Sequence, residues 1–271
     1  MIDFAGRVVL VTGAGRGLGA AYARVIAGHG ATVIVHDAGV ARDGSGSDPP
    51  VADAVVDEIR SAGGTAEPAY HDLSTRGACA ALVEETLARH GRVDALVHSA
   101  GLVLRARLDG TDEPLWRRSL AVNVEAALWL CRCGPPDDAR AHVWAHRAHD
   151  LGLRHRAGGR RRRPGRLLRR EGRPVRSHER TGVRSLRGGA RQRRRPVAAT
   201  RIYRRKVAPG ELTPAQVAPG VAFLASSACE ASGVVLHAAG GRFSLGGTGI
   251  DLGGEPVTPD VIAERWAEIA L

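Results

Sequence analysis

Residues 7–19 read Arg7-Val8-Val9-Leu10-Val11-Thr12-Gly13-Ala14-Gly15-Arg16-Gly17-Leu18-Gly19. The run up to Val11 is apolar and largely β-branched, the pattern of a strand covered on both faces of a parallel sheet. Glycines follow at once, and a helix is expected to start inside them. With no side chains in the way, such a loop turns tightly and lets a pyrophosphate reach the unpaired N–H groups and positive dipole end of the helix. A glycine cluster alone is a weak signal, but its surroundings strengthen it. A helical stretch from Ala20 to His29 leads to a second apolar strand, Thr32-Val33-Ile34-Val35, which ends at His36-Asp37. Asp37 then stands where a carboxylate accepts hydrogen bonds from the adenosine ribose 2′-hydroxyl. It would repel a 2′-phosphate, which favours NAD over NADP, while Arg16 offsets that repulsion in part and keeps NADP possible.

At 271 residues and 44% hydrophobic content, the chain is long enough to bury one sizeable core, and a single domain is expected over 1–271. No run approaches the ~18 consecutive apolar residues of a membrane span, and Met1 leads directly into a strand-like segment, so a cytoplasmic protein with no membrane partner is expected. Cys79, Cys131, Cys133 and Cys229 lack zinc-ligand spacing, which points to reduced thiols and no metal. The net charge of +11 is unevenly spread. Residues 133–195 carry 20 Arg against five acids, a net of +15, so the remainder sums to −4. That segment also contains no Lys, Ile, Phe, Tyr, Met or Asn. The chain therefore divides into a cofactor half over 1–132, an Arg-rich stretch over 133–195, and a C-terminal substrate or oligomer part over 196–271.

Further motifs occur in order: Asp72-Leu73 after a third strand, His98-Ser99-Ala100-Gly101 after Val93-Asp94-Ala95-Leu96-Val97, and Asn123 in Ser119-Leu120-Ala121-Val122-Asn123-Val124. With Thr12, Gly13, Gly17 and Gly19, this set resembles the short-chain dehydrogenase/reductase family. The resemblance implies a doubly wound parallel α/β sheet of the Rossmann type and NAD(P)-dependent interconversion of a secondary alcohol and a ketone. It implies that Thr12, Gly13, Gly15, Arg16, Gly17, Leu18, Gly19, Asp37 and Ser99 bind the cofactor, that Asp72 and Leu73 meet the adenine, and that Ala100 and Gly101 form the wall beside the adenosine ribose. Asn123 corresponds to the helix asparagine that helps hold a proton-relay water near the catalytic lysine, while Pro196, Val197 and Thr200 fall in the loop that receives the nicotinamide carboxamide. His98-Ser99 stands where the family usually has Asn-Asn, which removes some loop hydrogen bonds and leaves the turn.

The glycine-rich insertion Ala38 to Gly46 and the helical run Val51 to Ile59 resemble the 3-hydroxyacyl-CoA dehydrogenase part of multifunctional enzyme type 2. Four C-terminal stretches resemble the same group: Val217-Ala218-Pro219, Phe223 to Glu230, Gly240-Gly241-Arg242-Phe243 and Val257-Thr258-Pro259. The implied substrate is a small carbonyl or alcohol compound, an acyl thioester among the candidates, and the implied assembly is a homo-oligomer.

The family's acid/base is a tyrosine with a lysine four residues later, on one helix face. The chain has Tyr22, Tyr70, Tyr203 and a single lysine, Lys206, and four residues after the tyrosines stand Ile26, Ser74 and Val207. Tyr-x-x-x-Lys is therefore missing from the written chain, and of the catalytic set only Asn123 survives. The Arg-rich stretch reads as the same gene translated one nucleotide out of frame, entered near Cys133 and left near Pro196. Trp144 has only the codon TGG, and the G opening the next codon makes the shifted triplet GGG. With suitable codons Ala145 to Arg147 can then yield Arg-Ile-Val, making Gly-Arg-Ile-Val, the usual opening of the strand that carries the catalytic serine. Ala148 to Leu151 can decode as Leu-Thr-Thr-Ser, Leu167 as Tyr if its codon is CTA, Glu171 as Lys if its codon is GAA, and Arg191 to Pro196 as Val-Asn-Ala-Val-Ala-Pro. Codons that end in C before G-first codons turn into arginine under such a shift, which accounts for the composition.

Three readings follow. One is a dehydrogenase whose true product carries the restored segment. The second is the chain as written, a dinucleotide-binding remnant whose residues 133–195 are too poor in apolar side chains to order, leaving the sheet without a central strand. The third takes the Arg clusters at 160–163 and 193–195 as a nucleic-acid arm. No aromatic interleaving accompanies those clusters, so no specific nucleic acid is expected, only salt-sensitive, nonspecific attraction to phosphates.

Overall fold

The structure is a computed structural model. It describes residues 1–40, 46, 48, 50–103, 110–133, 143–147, 191–198, 208, 210–231, 235–245, 248–251 and 257–270, with backbone alone for 143–147, 191–197, 248–251 and 270. Strand β1 (Val8–Thr12) leads into helix α1 (Gly17–Gly28), then β2 (Thr32–His36), α2 (Pro50–Ser61), β3 (Thr65–Ala69), α3 (Arg76–His90) and β4 (Ala95–His98). Helix α4 (Glu113–Leu120) runs through a π-helical turn at Ala121–Glu125 into α5 (Ala126–Cys133). The remaining elements are β5 (Val143–Arg147), β6 (Arg191–Val197), α6 (Ala218–Ala225), β7 (Val235–Ala239), β8 (Arg242–Leu245), β9 (Thr248–Asp251), α7 (Pro259–Glu264) and α8 (Trp266–Ala270).

The strands form one sheet in the order β3-β2-β1-β4-β5-β6-β7-β8-β9. β3 through β7 are mutually parallel, and β8 and β9 close one edge antiparallel. The order reverses between β1 and β4, so the crevice of a doubly wound sheet opens there, at the carboxyl ends of the strands. The α/β class read from the sequence is the class observed.

The two-residue period of a strand explains why β1 is apolar throughout. Val9 and Val11 belong to the core formed with α1, α2 and α6, whereas Val8 and Leu10 belong to the core under α3 and α5. β2 and β4 repeat the division, with Val33, Val35, Ala95 and Val97 on the first face and Ile34 and Leu96 on the second. α2 buries Ala52, Val55, Val56 and Ile59, a spacing that keeps one helical stripe on the sheet. α3 is capped by Thr75, whose side chain accepts from the Ala78 N–H at 3.2 Å, and it stops at Gly91, in the left-handed conformation with φ 72°. Asp94, buried ahead of β4, accepts from the Val8 N–H at 2.7 Å and from the Arg92 guanidinium, tying the start of β1 to its neighbour.

One expectation is corrected. The sheet does not lack its central strand: Val143–Arg147 pairs in parallel with β4 and with β6, and Arg191–Val197 pairs with β7. Ladder hydrogen bonds come from backbone groups that every non-proline residue carries. A segment with few apolar side chains can therefore still occupy the vacancy that β4 and β7 leave between them. Residues 148–190, with the shifted readings at Leu151, Leu167 and Glu171, lie outside the described residues.

Candidate cofactor-binding site

The cleft at the strand-order reversal is built first by β1 and the loop after it. Thr12 is fully buried. Its Oγ1 accepts from the N–H of Ser99 (3.2 Å) and of Ala100 (3.3 Å) and pairs with His98 Nδ1 at 2.8 Å. The ends of β1 and β4 are thereby braced against each other. Gly13 adopts φ 65°, and a Cβ there would lie 2.6 Å from the backbone of Ala100, so the close passage of the two loops requires glycine. Beyond it α1 opens at Arg16 with no side-chain cap and no acid in its first turn, and Arg16 to Gly19 line the cleft, an uncapped helix start of the kind that suits an anion.

β2 supplies the acid. Asp37 Oδ2 accepts from the Gly15 N–H at 3.0 Å and Oδ1 from the Gly39 N–H at 2.9 Å, so the carboxylate is held in one orientation across the mouth of the glycine loop. The preceding residue, His36, is buried. Its Nε2–H donates to the carbonyl of His71 at 2.7 Å, which fixes the neutral tautomer because a carbonyl can only accept. Burial lowers the pKa of the ring to about 4, against the opposing pull of the His71 hydrogen bond and the Asp37 charge.

On the far side, Asp72 accepts from the Ser74 N–H through Oδ1 at 3.0 Å and from Arg118 of α4 through Oδ2 at 3.1 Å. Arg118 thus reaches from the helix to the β3 end of the cleft. Asn123, in the π-helical turn, is 5% exposed, and its amide is fully engaged: Oδ1 accepts from the Leu102 N–H, while Nδ2 donates to the Leu102 carbonyl and to Ser119 Oγ, each at 2.9 Å. It fastens the loop after β4 to the helix behind it.

Of the residues singled out by sequence, Gly13, Arg16, Gly17, Leu18, Gly19, Asp37, Asp72, Leu73, Ser99, Ala100 and Gly101 line one cleft. Thr12, Gly15 and Asn123 stand behind its lining and hold it in shape through the bonds just described. Pro196 and Val197 are the last two residues of β6, paired with Ala238 and Ala239. Thr200 lies outside the described residues. The sequence reading missed His36, Ala38, Val40, Leu102, Arg118 and Val122 as lining residues. The position of His36, one before Asp37, was the available signal; nothing in the spacing flags Arg118, brought in from 46 residues beyond its partner. Among the described residues no group of three or more His, Cys, Asp or Glu could hold a metal ion, and no helix is long and apolar enough to cross a membrane.

Comparison with known proteins agrees with this architecture. The short chain dehydrogenase profile matches residues 7–138. A Mycobacterium tuberculosis protein named as a short-chain type dehydrogenase/reductase is 31% identical over 97% of this chain and 93% of its own length. Peroxisomal multifunctional enzyme type 2 of Drosophila melanogaster is 43% identical over 115 residues, 42% of this chain and 19% of the fly protein. A short chain dehydrogenase from Mycobacterium avium shares the fold, with a TM-score of 0.65 at 24% identity over 98% of this chain and 95% of that one. The chain belongs to the short-chain dehydrogenase/reductase family, whose members are oxidoreductases that bind NAD(P).

Proposed function

We propose that the cleft binds NAD through its adenosine and pyrophosphate half, and that the complete gene product oxidises a secondary alcohol or reduces the corresponding ketone. The observation that carries the reading is Asp37, a carboxylate pinned by two backbone N–H groups beside an uncapped helix N-terminus. A fixed acid accepts from ribose hydroxyls with little loss of side-chain freedom, and it repels a 2′-phosphate. Gly13, Arg16, Gly17, Leu18 and Gly19 would receive the pyrophosphate, Asp72 and Leu73 the adenine, and Ser99, Ala100 and Gly101 the ribose side, with Thr12, Gly15 and Asn123 holding the frame. Pro196, Val197 and Thr200 would follow the cofactor toward its nicotinamide. The nicotinamide supplies the chemistry by taking or giving a hydride at the carbinol carbon. The protein must move the hydroxyl proton, which the restored Tyr and Lys would do.

Two observations support the out-of-frame reading of 133–195. The family match stops at residue 138, a few positions past Cys133. Strands β5 (Val143–Arg147) and β6 (Arg191–Val197) also overlap Trp144 to Arg147 and Arg191 to Pro196, the two segments that can decode as strands in the shifted frame. An acyl thioester is the substrate class proposed, supported by the multifunctional-enzyme relative and by the insertion and tail motifs. A homo-oligomer is the proposed assembly.

Sequencing the gene across the codons for Leu130 to Arg201 tests this reading. A single base missing or extra at each edge is the expected result, and the restored protein should reduce NAD with a 3-hydroxyacyl thioester. If the written frame stands, the chain is a cofactor-binding remnant and should transfer no hydride.

A further inference from the structure

We infer that Asp48 is a cofactor-specificity residue: it engages the Arg16 guanidinium from outside the cleft and so sharpens the discrimination against a 2′-phosphate. The inference rests on the proposed dinucleotide site and deepens it. Arg16 lines the cleft at the turn into α1, one residue after Gly15, whose N–H holds the pinned carboxylate of Asp37. Left to itself it would turn toward a 2′-phosphate and offset the repulsion from Asp37. Its Nη2 instead meets Asp48 Oδ2 at 2.9 Å, and Asp48 is not among the residues that line the cleft.

The backbone shows that this pairing is built rather than incidental. Gly39 has φ 68°, and a Cβ there would sit 2.3 Å from the carbonyl oxygen of Asp48 and 2.4 Å from its nitrogen. The backbone of Asp48 therefore packs directly onto Gly39 in the turn after β2. The same Gly39 donates its N–H to Asp37 Oδ1, and the Asp48 carbonyl accepts from the Val51 N–H at 3.2 Å as α2 begins. One turn thus sets both acids, Asp37 inside the cleft and Asp48 at its rim, with Arg16 drawn to the outer one. The positive charge that would welcome a second phosphate is neutralised before the ligand arrives.

The test compares ADP-ribose with 2′-phospho-ADP-ribose on the full chain, measured by displacement of bound NADH so that only ligands of the cleft are counted. Asp48→Asn should lower the ratio of the two dissociation constants about fivefold, the scale of an exposed ion pair, with the affinity for ADP-ribose unchanged. In an Arg16→Ala background the same substitution should no longer move the ratio. An unmoved ratio in Asp48→Asn overturns the inference. So does a shift of equal size with Arg16 absent, which would make Asp48 a direct repeller. If NADH binds to none of these proteins, the dinucleotide-site reading fails and takes the inference with it. Binding with an unmoved ratio removes the inference alone.

Discussion

Asp37 and Thr12 show how much of the cleft depends on single polar atoms with defined partners. Replacing Asp37 with Ala frees the N–H groups of Gly15 and Gly39 and removes the proposed ribose acceptor. ADP-ribose should then bind about tenfold or more weakly by calorimetry, and an unchanged affinity would remove Asp37 from the site. Thr12→Val keeps the shape of the side chain and deletes the acceptor that serves Ser99 and Ala100. A loss of about 1–3 kcal/mol in urea unfolding is expected, since buried donors are left unsatisfied. His36 links structure to pH. Its folded pKa of about 4 lies below the unfolded 6.5, so the unfolded chain binds the extra proton between these values. Stability is then complete above pH 6.5 and falls as the pH drops toward 4, by about 3 kcal/mol for this group. Denaturation midpoints compared at pH 7 and pH 4.5 should differ less in His36→Asn, provided Asp37 and His71 are left in place.

At the scale of elements, the helix from Glu113 to Cys133 is broken by a π-helical turn where it meets the loop after β4. Such turns are frequent at functional sites because one extra residue per turn redirects a side chain. Here the redirected side chain is Asn123, and it satisfies both backbone polar groups of Leu102. Asn123→Ala should cost about 2–3 kcal/mol and loosen the wall formed by Ala100 and Gly101, with faster amide exchange at Leu102 as the specific sign. Asn123→Asp should not recover the loss, because a buried carboxylate would set an oxygen against the Leu102 carbonyl where Nδ2 now donates. The pairing of β5 and β6 with their neighbours is an element-scale result of another kind: backbone ladders formed where side-chain pattern argued against strands.

For the whole molecule, charge and chemistry divide between the two halves. The written chain concentrates a net +15 in residues 133–195. It should attract any polyphosphate in a salt-dependent way, so its affinity for unrelated DNA should collapse between low and physiological salt. An affinity that persists at high salt would favour an evolved nucleic-acid role. On the proposed frameshift, the restored chain would carry far less of that charge and a Tyr-x-x-x-Lys, and it should lose the DNA affinity and gain NAD-dependent oxidation together.

The apolar runs of β1 and β2, the glycine loop and Asp37 were legible in the amino-acid sequence, because each is a local pattern set by backbone geometry over a few residues. The absence of Tyr-x-x-x-Lys and the foreign composition of 133–195 were legible for the same reason, as properties of letters in order. Arg118 on Asp72, Asp48 on Arg16, the His36 bond to His71 and the use of Asn123 as a tether join residues that chain spacing does not relate. Only the tertiary structure decided these. A hydrogen bond or ion pair forms wherever the packing of helices on the sheet brings two groups within about 3 Å, and that packing is the sum of many buried contacts rather than a feature of any one segment.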